Sequence, residues 1–470
     1  MNTPFIWILV PAILSGLLLI FQRYERIVAI LGTLSGIVFA GLAWWLPVRE
    51  QFIIGPWTLR IVDTWTVLGR SFVLGGNDRP VLVILYLTAA IWCGAAYVAR
   101  PRRTFVPLAL MMIALLTAAI SVEPFLYAAL LIEMAILTSI PFLVSDGRVI
   151  GRGVYRYLTF QTLGMPFILF SGWMLTDVGT SAGEQEFVRQ AAVLIGLGFA
   201  ILMAIFPFHS WIPMLAEESH PYAVAFVLLL LPGAISFFGL GFLDRYPGLS
   251  SAETTYSFLR LGGILMVVIG GVWAAFQRHL GRMLGFAAIV EIGLSLVALS
   301  LGGPAQQTRS LQIFFAGLLP RGLGFGVWGL ALTAIQARTT GLLYREVQGA
   351  ARRAPIAAAA LVIAHFSLAG LPLLAAFPVR IALWEELASI YPSSVSWLLI
   401  GNVGLLIGGL RTLAVLVMGP DEQDWQLTES WSEQVYLLLG ILALFLVGLF
   451  PQWFFPFFTN MPQVFERLFP

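Results

Sequence analysis

Runs of about twenty apolar residues recur along this chain from one end to the other, the length one α-helical crossing of a bilayer requires. With 59% hydrophobic and only 11% charged residues over 470 positions, there is too little polar surface for a soluble domain. The sequence therefore predicts an all-α polytopic membrane protein. The runs fall at residues 4–21, 27–46, 80–98, 105–121, 124–144, 154–174, 190–208, 221–243, 257–276, 283–302, 308–336, 355–390, 395–418 and 434–457, about fourteen spans. The first lacks a basic leader region and a small-residue cleavage site, so it reads as a span and not as a cleaved signal. Residues 47–80, with Trp57 and Trp65, read as a surface connector, partly strands or an interfacial segment.

The charges arrange themselves around these runs. Arg23 and Arg26, Arg100, Arg102 and Arg103, Arg148, Arg152 and Arg156, Arg278 and Arg282, and Arg338, Arg345, Arg352 and Arg353 fall in every second connection. Arginine-rich connections stay cytoplasmic, which places both termini and the acidic Asp177, Glu184 and Glu186 on the opposite side. The 419–433 loop is acidic yet falls on the cytoplasmic side, which the rule tolerates. A net charge of +2 with no basic patch interleaved with aromatics excludes nucleic acid as a partner. Cys93 is the one cysteine, so the chain has no internal disulfide and no cysteine-based metal or iron–sulfur site. No phosphate-binding loop, dinucleotide fingerprint, metal motif or set of nucleophile, base and orienting group is present, so neither catalysis nor metal binding by this chain alone is expected.

One stretch interrupts the regular pattern. Across 197–233 an apolar run stops at Pro207-Phe-His209-Ser-Trp211-Ile-Pro213, a short patch with Glu217 and Glu218 follows, and a new run starts after Pro221. Non-helical backbone at bilayer depth survives only where protein or a water-filled cavity satisfies its peptide groups, so a break points toward a transport path. A second break, at Ala369-Gly370-Leu371-Pro372, lies five spans later. Paired breaks are the usual trace of inverted repeats with an ion site between them, although each proline is also able simply to kink a helix. On this reading residues 1–104 form an N-terminal unit, 105–245 and 246–392 two inverted five-helix repeats with broken helices 7 and 12, and 393–470 a C-terminal pair of spans.

Ionisable groups within spans are costly and mark function. Glu133 stands near the middle of the 124–144 run with no basic residue close in sequence, and it either takes up a proton, meets a cation on another helix, or holds two helices together by a hydrogen bond. Glu291 lies in Gly285-Phe-Ala-Ala-Ile-Val-Glu-Ile-Gly293; it either titrates or is neutralised by an arginine from a neighbouring helix. His365, four residues before the second break, is able to relay protons near neutral pH. His209 and His220 flank the first break, where capping freed carbonyls is as good a reading as proton transfer, and His279 reads as an exposed loop residue. The chain has no lysine: all 26 basic residues are arginine, which holds its proton where a buried lysine releases it.

Several of these motifs carry a resemblance to a known family. Pro207, Phe208, His209, Trp211, Pro213 and Pro221 resemble the Pro-Phe-His-x-Trp-Leu-Pro…Pro signature of the antiporter-like membrane subunits of respiratory complex I, Mrp-type cation/proton antiporters and membrane-bound hydrogenases. The segment from Glu123 to Asp146 is similar to the family's fifth span, with Glu133 at its glutamate, and Tyr157, Gln161 and Gly164 resemble the start of its sixth. Arg321-Gly-Leu-Gly-Phe325 and Leu368-Ala-Gly-Leu-Pro-Leu-Leu-Ala-Ala-Phe-Pro-Val-Arg380 resemble motifs of the eleventh and twelfth spans, each with arginine in place of lysine. Glu291 stands where a histidine or glutamine is usual, and the seventh- and eighth-span lysines fall at Met203 and near Pro232.

The resemblance implies a proton-translocating subunit of a multi-subunit assembly in a bacterial-type inner membrane. Other membrane-arm subunits and redox subunits would be its partners, protons or Na+ its ions, and redox cofactors would sit on the partners and none on this chain. Glu133 and Glu291 would exchange protons, His365 would relay them, and Arg321 and Arg380 would be fixed charges tuning both. The missing lysines leave a second reading open, a scaffold subunit that has lost conduction. A cation/proton or anion secondary transporter acting without redox partners is the third.

Overall fold

The computed structural model describes residues 2–468 apart from 47–50, 55–56, 61, 145–149, 177–181, 303–306, 420–424 and 466–467. Arg148, Asp177 and part of the acidic 419–433 loop lie outside the described residues, as do the side chains of Glu184 and Glu186.

The chain is built of helices in sequence order: α1 (Phe5–Ile20), α2 (Glu25–Trp45), α3 (Arg79–Ala99), α4 (Phe105–Ser121), α5 (Tyr127–Leu143), α6 (Arg152–Thr176), α7 (Ala182–Leu202), α8 (Trp211–Glu218), α9 (Pro221–Arg245) and α10 (Glu253–Phe276). They continue as α11 (Leu280–Ser300), α12 (Gln307–Ala316), α13 (Leu318–Gln336), α14 (Pro355–Leu368), α15 (Phe377–Ile390), α16 (Pro392–Val417), α17 (Trp431–Leu449) and α18 (Pro451–Thr459). Among the described residues, nine helices are long and apolar enough to cross a membrane, and four shorter apolar helices accompany them. This is an integral membrane protein.

The connector after α2 forms two antiparallel hairpins, β1 (Gln51–Ile54) with β2 (Trp57–Arg60) and β3 (Thr64–Val67) with β4 (Arg70–Val73). A two-residue strand, β5 (Val122–Glu123), adds to β4. These hairpins satisfy the polar backbone of a segment with too few apolar residues for a span.

Proline sets several boundaries. It occupies the first turn of α9, α14, α16 and α18, where its missing N–H costs nothing. The final run, expected as one span over 434–457, is divided at Pro451, which forces Phe450 out of helical conformation.

The centre of the bundle is α11, whose residues are buried along its length except Arg282, with α9 beside it. Neither helix has a polar stripe, as expected for helices surrounded by others. At the periphery α2, α10, α16 and α17 turn rows of bulky apolar side chains outward, for example Leu34 and Ile37, Phe258 and Leu261, Val403 and Ile407, and Leu438 and Leu442. Such faces suit lipid tails or other membrane subunits.

The two breaks share one geometry. After α7, Ile205 N–H bonds Ala200 C=O at 2.8 Å and Ala204 N–H bonds Ile201 C=O at 3.2 Å, with Ala204 left-handed at φ +56°. After α14, Leu371 N–H bonds Phe366 C=O and Gly370 N–H bonds Ser367 C=O, both at 3.0 Å, with Gly370 at φ +81°. Each is a Schellman closure, which satisfies the last carbonyls of a helix that stops inside the protein. The first helix therefore ends at Leu202, earlier than the expected span to residue 208, because the closure forms before Pro207 is reached.

Candidate functional site

The second break carries the principal cluster of buried charge among the described residues. Glu291 projects from the middle of α11, Arg321 from the first turn of α13, and Arg380 from the first turn of α15, just past the break. All three are 4–6% exposed. Arg321 Nε donates to Glu291 Oε2 at 3.3 Å, and its Nη2 donates to the Glu291 carbonyl at 3.0 Å and to Ser295 Oγ. Arg380 Nη2 donates to Glu291 Oε1 and, at 2.6 Å, to the Leu368 carbonyl, the last residue of α14. One carboxylate is thus clamped between two guanidiniums, each oxygen taken by a different one. Glu291 therefore meets an arginine from each of two neighbouring helices.

Ser295 belongs to this cluster and was not singled out in the sequence. Its signal was present, since it lies four residues after Glu291 on the same helix face. A cavity of about 40 Å³ adjoins the cluster, lined by Ser295, Gly317, Pro320, Ala376 and Leu383 together with the three charged residues.

His365 is fully buried in the last turn of α14. A carbonyl only accepts, so its Nε2 carries the proton and donates to Leu405 C=O of α16 at 2.8 Å. The ring stacks on Trp328 with centroids 4.4 Å apart. Trp328 is seven residues after Arg321, two turns along the same face of α13, so the charged cluster and His365 are attached to one helix surface. His365 Nδ1, Ser367 Oγ and both amide atoms of Asn402 are buried with no hydrogen-bond partner among the described residues.

The first break is built differently. Glu133 on α5 is half-buried, flanked by the exposed Leu130, Met134 and Leu137. Its Oε1 accepts from Thr162 of α6 at 2.6 Å, and its Oε2 has no partner among the described residues. No cation pairs with it there. Met203 is buried, with its sulfur 3.9 Å from Ser236 Oγ, and Pro232 lies inside α9, where Ser236 Oγ donates to the Pro232 carbonyl at 2.7 Å. Pro207 lies between the Schellman closure and the 3₁₀ turn of Phe208–Ser210, which contains His209, and His209 Nδ1 is also unpartnered among the described residues. Pro213 falls in the first turn of α8, where a residue without an N–H is tolerated. At the far end of α8, Glu217 pairs with Arg282 at 2.6 Å and Glu218 accepts from Gly153 N–H at 2.6 Å.

His279, expected to be exposed, is only partly so. Its Nδ1 caps α11, accepting from Gly281 N–H at 3.1 Å and Arg282 N–H at 3.3 Å.

Fold and site together define a polytopic helical membrane protein with two like-built helix breaks and a buried arginine–carboxylate cluster at one of them. Residues 175–408 match the family model described as NADH:quinone oxidoreductase/Mrp antiporter, TM. The NADH-quinone oxidoreductase subunit 13 of Thermus thermophilus is 26% identical over 429 residues, 85% of this chain and 86% of that one. The NADH-quinone oxidoreductase subunit N of Ectopseudomonas mendocina is 28% identical over 317 residues, 63% of each chain and so somewhat under two thirds of that relative. A chain of the membrane-bound sulfane sulfur reductase, an archaeal respiratory membrane complex, has the same fold, with a TM-score of 0.83 at 15% identity over 99% of this chain and 98% of that one. By that match residues 175–408, about half of the chain, are a segment of the NADH:quinone oxidoreductase/Mrp antiporter family, and the chain as a whole has no lysine.

Proposed function

We propose that the chain is a proton-translocating, antiporter-like membrane-arm subunit of a complex I-like, redox-driven assembly in a bacterial-type inner membrane. It crosses the bilayer about fourteen times with both termini outside the cytoplasm, in two inverted five-helix repeats over 105–245 and 246–392. Neighbouring membrane-arm subunits and redox subunits are its partners, and the redox cofactors reside on the latter. The matching family model and the coverage of the Thermus thermophilus subunit support this reading.

The observation that carries it is the clamp on Glu291. Both carboxylate oxygens accept from guanidinium N–H groups, which favours the ionised form, so a proton is added more readily once one donor withdraws. Arg380 is the donor placed to move, because it begins the helix that follows the break and bonds the last carbonyl of the helix before it. A shift of the 369–376 segment draws Arg380 away and lets Glu291 take a proton, and its return expels that proton. Arginine contributes position and charge and does not itself pass the proton on. His365 continues the path: its Nδ1 accepts while Nε2–H remains on Leu405. The unpartnered polar atoms around it call for water, which buried polar groups of this kind recruit.

Glu133 is the corresponding carboxylate of the first repeat. A cavity of about 380 Å³, lined by Glu123, Asp244 and Arg245 at one end, reaches Ile132 beside it. The test is redox-driven proton uptake by membrane vesicles containing the whole assembly. Glu291→Gln is expected to abolish most of the uptake linked to this subunit while the assembly itself persists, and wild-type uptake in that variant would overturn the reading.

One observation favours the second reading, a non-conducting scaffold. By the resemblance the lysine positions fall at Met203 and near Pro232, and α9 sets the buried apolar run of Val227 to Leu231 between α5 and α11. If Glu291→Gln and Glu133→Gln both assemble and pump as wild type, the scaffold reading replaces the first.

A further inference from the structure

The charge within the Glu291 cluster does not balance. Two guanidiniums face one carboxylate, which leaves one positive charge in the protein interior at bilayer depth, where an uncompensated ion is costly. Of the two acids further along α15, Glu385 is exposed and Glu386 is engaged elsewhere, 3.9 Å from Arg309. Donors are also left over. Arg321 uses Nε and Nη2 and Arg380 uses Nη2, so Arg321 Nη1 and Arg380 Nε and Nη1 make no bond among the described residues. Both side chains line the cavity of about 40 Å³; Glu291 and Ser295 line it as well, and the remaining walls are largely apolar, among them Leu294, Ile313, Phe314 and Val379.

We propose that this cavity is a binding site for a small monovalent anion of halide size. The anion accepts from the free guanidinium nitrogens of Arg321 and Arg380, and with it bound the four charges sum to zero. Ser295 Oγ is already bonded to Arg321 and to the Glu291 carbonyl and takes no part. The volume is enough for one halide, since a single water needs only about 10–15 Å³ of such space. This inference does not depend on proton transport by the chain.

The experiment is thermal unfolding of this chain within the purified, detergent-solubilised assembly. Choline chloride, bromide or nitrate is titrated against choline gluconate at constant ionic strength. A ligand bound only by the native state raises the unfolding temperature with its concentration, so chloride and bromide are expected to stabilise this subunit and gluconate is not. Glu291→Gln removes the competing negative charge and is expected to tighten halide binding about tenfold. Arg321→Gln and Arg380→Gln each remove the surplus charge and are expected to abolish the response. If one of them fails to assemble, the other and Glu291→Gln remain decisive. Equal stability of the wild type in chloride and gluconate, an undiminished response in either arginine variant, or a weakened response in Glu291→Gln would each overturn the proposal.

Discussion

Arg380 and Glu291, 89 positions apart in sequence, are joined directly inside the membrane-spanning body, and the same Arg380 nitrogen holds the carbonyl that ends α14. One guanidinium therefore fastens the second break to the central helix. Removing a partner from a buried ionic cluster costs more than removing the whole cluster, because it strands charge. Glu291→Gln strands two positive charges and is expected to lower stability by about 3–5 kcal/mol. Arg380→Met leaves a one-to-one pair of Glu291 with Arg321 and should cost less, despite deleting the larger side chain. Denaturant- or detergent-induced unfolding of the three forms gives the order, and a larger loss in Arg380→Met would contradict the charge argument.

The two Schellman closures make opposite predictions at equivalent positions. Ala204 holds a left-handed conformation that a Cβ penalises by about 1–2 kcal/mol, whereas Gly370 holds the same conformation freely. Ala204→Gly is expected to stabilise the chain by about 0.5–1 kcal/mol once the added freedom of the unfolded glycine is discounted. Gly370→Ala is expected to destabilise, by the conformational penalty and because its Cβ would stand 3.1 Å from Arg380 Cγ. Parallel melting curves of the two variants check the pair.

Much of this was visible in the sequence, for identifiable reasons. Spans are legible because each needs its own apolar run, and the breaks because Pro207 and Pro372 punctuate such runs. The geometry shared by the breaks was hidden, since one uses alanine where the other uses glycine. Arg321 and Arg380 were expected to tune both carboxylates, but their meeting on Glu291 alone was hidden: the three residues lie on three helices, and no periodicity links 291, 321 and 380. The outward-facing side of Glu133 was equally hidden. In a chain apolar on every face, hydrophobic period does not separate the side toward lipid from the side toward protein.

Helix α10 meets α16 with glycine facing glycine. A Cβ on Gly401 would fall 2.7 Å from the Val267 carbonyl carbon, and one on Gly271 would fall 2.6 Å from Gly401 Cα. The backbones themselves are in contact, and in a membrane such close packing replaces the hydrophobic drive for helix association. Gly401→Val is expected to cost about 3 kcal/mol or more, beyond ordinary overpacking, because backbone has no rotamer to yield. Gly16, with open space around it, provides the control: Gly16→Val should leave assembly unchanged. Yield of the intact assembly from membranes carrying each variant measures the contrast.

The pH dependence at the start of α11 has a definite sign. His279 Nδ1 accepts two backbone N–H groups, a role open only to the unprotonated nitrogen. Burial holds its pKa below the ordinary histidine value; Arg282 works in the same direction, while Glu217 and Glu346 oppose. The unfolded chain thus binds this proton more readily than the folded one, and the cap's contribution is complete at neutral pH and is lost as pH falls below about 6.5. His279→Asn supplies an equivalent acceptor that does not titrate. The wild type is therefore expected to lose unfolding temperature relative to His279→Asn on acidification from about pH 7.5 to about pH 5.5, with the two converging at the upper end. Parallel curves over that range would show that the cap carries no proton linkage.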